Sequence, residues 1–196
     1  MSENLNVNDA PEEKNSVAEI KNEIFDWVQN ITFILGAIVL IFIFVFRIVG
    51  VDGESMMPTL HHKDWLVISD LFYEPEQGDI VVISKKTFDN GKPIVKRVIA
   101  TEGQTVDIDF EAGIVYVDGN ALAEDYTYTP TNLDEGVSFP LVVEQGHVFV
   151  LGDNRNHSRD SRSVDIGLID KREILGKAVV PFLPGTNGGK ADRDFA

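Results

Sequence analysis

A serine hydroxyl attacks a peptide carbonyl only when a neighbouring base takes its proton. Ser55 and Lys96 are the pair in this chain whose surroundings suit that exchange, and the chemistry would be peptide-bond hydrolysis. Ser55 lies in G-E-S-M-M-P-T-L (Gly53 to Leu60), a few residues beyond a membrane-length apolar run. Gly53 lets the backbone approach closely, Pro58 stiffens the turn, and Met56 and Met57 bring adaptable apolar surface to the hydroxyl. Glu54 is a poor base for its neighbour, because successive side chains of an extended segment point in opposite directions. Lys96 sits inside an apolar, β-branched run, P-I-V-K-R-V-I-A (Pro93 to Ala100). If it faces inward, loss of water lowers its pKa from ~10.4 and frees a neutral amine to act as general base. If it faces outward, it is an ordinary strand lysine. Arg97 takes the other face.

A third cluster, G-D-N-R-N-H-S-R-D-S-R (Gly152 to Arg162), is too polar for a core. As a turn it bonds its own backbone through Asp153 and Asn154. As a site wall, Ser158 would orient the lysine amine and Asp160 would pair with Arg162. His157 leaves a Ser-His-Asp triad open. No histidine pair has metal-ligand spacing, so neither metal nor other cofactor is expected. G-x-S-x-G and S-x-x-K elements are missing, which argues against α/β-hydrolases and penicillin-binding enzymes.

These residues must be held by something. From Ile31 to Phe46 Thr32 is the one polar side chain, and flanking apolar residues bring the run close to the ~20 residues of a spanning helix. A transmembrane helix over 29–49 is expected, left uncleaved, after an acidic tail (1–28) in which 16–27 has helical spacing. A buried core helix or a cleaved signal would be less well matched to a run that is apolar all round and preceded by acidic residues. Flanking positive charge is balanced and does not set orientation. Beyond it, 50–184 breaks into short β-rich runs such as W-L-V-I, I-V-V-I, I-V-K-R-V-I, T-V-D-I-D and H-V-F-V-L, separated by turn residues. The domain is therefore expected to be mostly β, with an inserted β subdomain at about 107–145 and a flexible tail at 185–196.

A chain of 196 residues has room for one such domain and an anchor. It has no cysteine, hence no disulfide or thiolate chemistry, and its net charge of -15 excludes the basic stripe of a nucleic-acid binder. Acidity of that size also works against docking on anionic lipid, so attachment to a bilayer must come from apolar insertion.

Taken in order behind one span, the blocks S-M-x-P-T-L (Ser55 to Leu60), G-D-I-V-V (Gly78 to Val82), K-R-V-I (Lys96 to Ile99) and G-D-N-R-x-x-S-x-D-S-R (Gly152 to Arg162) resemble bacterial type I signal peptidase (leader peptidase) in its compact Gram-positive-like form. The likeness runs from the anchor to about Val180. It implies a signal peptidase/LexA-like antiparallel β-sheet catalytic domain with a small inserted β subdomain. It implies Ser55 as nucleophile, Lys96 as base, Ser158 as orienting group, and Asp153, Asp160 and Arg162 as structural support. Val51, Met56 and Val95 would line pockets for small side chains. Substrates would be secreted preproteins cut after small-x-small (A-x-A-like) sites, with the N-terminus cytoplasmic and the catalytic domain extracytoplasmic. Two departures stand out. Gly53 occupies a position where many relatives carry an oxyanion-donating serine, which leaves backbone N–H, foremost that of Ser55. Ala100 to Gln104 replaces G-x-P-G-D and is expected to be less rigid. A LexA-like self-cleaving regulator and a non-enzymatic anchored β-domain are the competing functions.

Overall fold

The computed structural model describes residues 12–183; the expected flexible tail and the first eleven residues lie outside them. Helix α1 (Glu12–Val45) carries the apolar run. Its stretch Ile20–Ile43, 24 residues with mean hydropathy 1.9, is long and apolar enough to cross a membrane. Its apolar side chains, Phe25, Ile31, Ile34 and Phe42 among them, are exposed around the whole circumference, a pattern that suits lipid and not water.

The helix differs from the expected one at both ends. It absorbs 12–28 into one continuous element and stops at Val45, so residues 46–49 are corrected from helix to strand. Strand β1 (Phe46–Gly50) pairs antiparallel with β2 (Trp65–Ser69), Phe46 opposite Ser69 and Gly50 opposite Trp65. Short apolar runs read alike in a buried helix and a strand, and the partner that decides between them is distant in sequence.

Residues from Val45 onward form a separate unit of two antiparallel sheets. The remaining strands are β3 (Ile80–Ile83), β4 (Ile94–Thr101), β5 (Thr105–Asp109), β6 (Ile114–Val117), β7 (Asn120–Ala121), β8 (Leu141–Val142), β9 (His147–Leu151), β10 (Ile169–Asp170) and β11 (Ile174–Leu183). The larger sheet has the order β1-β2-β11-β3-β4-β9-β10, and the smaller β7-β6-β5-β8. All strands of the smaller sheet fall between β4 and β9 in the chain, so it is an insertion, as the sequence suggested. Ile99, Ala100, Phe149 and Leu151 from the larger sheet bury against Val106, Ile108, Val115 and Val117 from the smaller one. Each Val, Ile, Leu or Phe among them contributes about 1.5–3 kcal/mol when fully buried, which makes the insertion part of the core and not an appendage.

The turn that departs from the family pattern is held by a side chain. Gln104 Oε1 accepts from Thr101 N (2.8 Å) and Thr101 Oγ1 (3.1 Å). Gly103 N donates to Val143 O at 2.9 Å. These bonds hold the turn between β4 and β5.

Candidate active site

The Ser55 loop is pinned from below by its apolar residues. Met56 and Leu60 sink into a cluster with Val51, Leu66, Ile68, Val82 and Val95. Met57 N donates to Glu54 O (3.1 Å) and Leu60 N to Met56 O (2.9 Å), turning the chain so that Ser55 stays half-buried above them. From the side, Asn154 fastens the carbonyls of Ser55 and Glu54. Its N–H donates to Ser55 O at 3.0 Å and its Nδ2 to Glu54 O at 3.1 Å. Thr59 Oγ1 donates to Asp153 Oδ2.

Lys96 enters from β4, opposite Val81 of β3. It faces inward and is 3% exposed. Nζ donates to Ser55 Oγ at 2.8 Å and to Val95 O at 3.1 Å. Burial pulls the amine from its ordinary 10.5 down to about 8. The carboxylates of Asp160 and Asp153 pull it back up, and the Arg162 guanidinium adds to the lowering. Desolvation of the charged form outweighs these partners.

The residues from Gly152 to Arg162 form the wall over this amine. Asp160 and Arg162 are wholly buried and bidentate, Arg162 Nε to Asp160 Oδ1 and Nη2 to Oδ2, both 2.9 Å. The remaining donors of Arg162 reach Leu133 O and Arg155 O, and Asp160 Oδ2 also accepts from Gly152 N at 3.0 Å. A buried pair is tolerable only when its hydrogen bonds are satisfied in this way. Asp153 receives Arg97 in a second fork, Nε to Oδ1 at 2.8 Å and Nη2 to Oδ2 at 2.7 Å. Arg97 also stacks on Tyr126, 4.0 Å from its ring centre. Arg155 forks onto Glu124.

Most of the residues singled out from sequence meet here. Ser55 and Lys96 touch, and Asp153, Asp160 and Arg162 brace the wall. Val51, Met56 and Val95 share one cluster beneath the serine, though at 6%, 1% and 8% exposure they are core first. Ser158 is adjacent but makes a different contact from the one expected. Its Oγ is buried, has no hydrogen-bond partner among the described residues, and does not bond Lys96. Instead it crowds Gly152, where an added Cβ would fall 2.2 Å from Ser158 Oγ and 2.5 Å from Ser55 O. Gly53 gives its N–H to His62 Nδ1 at 3.2 Å. His157 is exposed and has no hydrogen bond to Ser55. Among the described residues no group of His, Asp and Glu gathers to hold a metal.

The model for signal peptidase, peptidase S26, matches residues 24–183. The chain belongs to the signal peptidase S26 family. A Synechocystis sp. protein named "Probable signal peptidase I-1" is 36% identical over 175 residues, 83% of this chain and 85% of that one. Signal peptidase I of Bacillus licheniformis is 35% identical over 182 residues, 88% of this chain and 95% of that one. The crystal structure of a signal peptidase I from Enterococcus faecalis V583 shares 29% identity, covering 54% of this chain and 97% of that one, with a TM-score of 0.43. The protein is thus a serine peptidase of the kind that removes signal peptides from secreted preproteins. The mostly antiparallel β fold, the N-terminal apolar helix and the peptidase family agree with the sequence-based expectations.

Proposed function

We propose that this signal peptidase cleaves with a Ser55–Lys96 dyad, at the face of a membrane that α1 crosses once. The observation that carries the dyad is the 2.8 Å contact between Ser55 Oγ and a lysine amine shielded from water. The neutral amine takes the hydroxyl proton as Oγ bonds to the scissile carbonyl carbon. The oxyanion faces the N–H of Ser55, which has no acceptor among the described residues. As the C–N bond breaks, the lysine ammonium returns its proton to the leaving amine. Water then gives a proton to the amine, attacks the acyl-enzyme, and releases the carboxylate and Ser55. The substrate lies as an added strand beside the segments bearing Ser55 and Lys96. Val51, Met56 and Val95 cluster beneath Ser55 and line the pockets for small side chains, in keeping with small-x-small sites. The N-terminus lies in the cytoplasm and the β domain outside.

Incubating the purified full-length protein in detergent with a preprotein bearing an A-x-A site is expected to give one new N-terminus, immediately after that site, by mass spectrometry. Replacing the alanine before the cut with phenylalanine should leave the preprotein whole. Equal cutting of both substrates would contradict the pocket reading, and no cutting of either would contradict the function.

The free-enzyme base also predicts a pH dependence. Lys96 is inactive while protonated, so kcat/KM is expected to rise with pH and level off above about 8. A profile already flat below pH 8 would exclude an amine with that pKa as the base.

A further inference from the structure

Gly53 lies two residues before Ser55, at φ +105°, a conformation open to glycine and strained for other residues. Its loop is closed at the base by two backbone bonds, Val51 N to Asp64 O (2.8 Å) and Lys63 N to Val51 O (2.9 Å). One step above them the loop is crossed by the Gly53 N–H bond to His62 Nδ1 at 3.2 Å. Nδ1 can accept only while it carries no proton. The carboxylate of Asp52 lies 3.5 Å from the same nitrogen. Asp52 Oδ2 is in turn paired with Lys92 Nζ at 2.5 Å. The side chains of His62 and Asp52 are 47% and 58% exposed, so this arrangement is not part of the core.

We propose that His62 is a positioning residue for hydrolysis, which rests on the dyad reading above. By holding Gly53 N–H, the imidazole fixes the orientation of the peptides leading into Ser55, and with them the Ser55 N–H and Oγ. Asn154 restrains the same stretch through its carbonyls; His62 restrains it through an amide. Gly53 N–H is therefore occupied, and the oxyanion is met by the N–H of Ser55.

The test uses full-length protein in detergent and the A-x-A preprotein, with His62→Leu, which has no acceptor, and His62→Asn, whose amide oxygen can take the place of Nδ1. His62→Leu is expected to lower kcat about five- to tenfold at unchanged KM and unchanged melting temperature, and His62→Asn to recover most of that loss. The proposal is overturned if His62→Leu turns over like the parent, if the two variants are equally slow, or if the change lies in KM. Ser55→Ala separates the two levels. Parent-like turnover in Ser55→Ala removes the dyad and this proposal with it, whereas an inactive Ser55→Ala beside indifferent His62 variants removes only the role of His62.

Discussion

Lys96→Arg is expected to lower kcat by about a hundred- to ten-thousandfold, the range for loss of a general base. Guanidinium keeps its proton in any protein environment, so it cannot accept one from Ser55. Arginine is also larger, at a position that is 3% exposed, and a poorly folded variant would be inactive for a trivial reason. Lys96→Met settles that point, because it keeps the apolar stem, adds no charge and retains the β4 register. It should melt as a folded protein and be equally inactive. Ser55→Ala should match both. The double variant Ser55→Ala, Lys96→Met should be no slower than either single one, since groups acting as a unit lose their effect together. Turnover in Lys96→Met near that of the parent, or losses that multiply in the double variant, would show that the two side chains do not work as a pair.

Gly152→Ala is expected to reduce turnover by about a hundredfold or more, the scale of a misplacement near 1 Å at a reacting group. The reason is space. The added methyl would stand 2.5 Å from Ser55 O and 2.2 Å from Ser158 Oγ. Rotation can swing Ser158 Oγ aside but not its Cβ, also 2.5 Å away, and the Ser55 carbonyl is backbone, held by Asn154 N at 3.0 Å. Nor can Gly152 retreat easily, because its N–H is held by Asp160 Oδ2 and Asp160 is locked by Arg162. Either the nucleophile loop moves or the wall over Lys96 opens. Gly36→Ala is the matching control, with nothing within 4 Å of the added atom. Single-turnover cleavage and a thermal melt on both variants check the argument, and a Gly152→Ala enzyme as fast as Gly36→Ala would refute it.

The strands were legible in the sequence because their β-branched runs end in turn residues within a few positions, as in I-V-V-I and H-V-F-V-L. The approach of Ser55 to Lys96 was legible only in part: a lysine in an apolar strand could face either way, and the resemblance of the ordered blocks favoured the inward one that the 2.8 Å contact shows. Local pattern failed at Phe46–Gly50, whose apolarity continues the helix while its backbone pairs with β2. It also missed the restraints that aim Ser55. Asn154 reaches Glu54 across 100 residues and Thr59 reaches Asp153 across 94. Asn154 looked like a turn former, since its partners leave no mark near it in sequence. Glu124 escaped for the same reason, its partner Arg155 lying 31 residues on. Ser158 was placed in the right wall, but a hydroxyl rotor follows contacts that spacing does not encode.

On the proposed dyad, an unfinished sheet leaves the enzyme inactive. Lys96 lies on a strand flanked by β3 and β9, and its cover comes from residues up to Arg162. The larger sheet is completed by β11 pairing back with β2 and β3, the kind of distant pairing that forms slowly. Before these pieces dock, an amine in water keeps its proton, and the proposed base of Ser55 is not available. On that reading, hydrolytic power arrives only with the closed sheet.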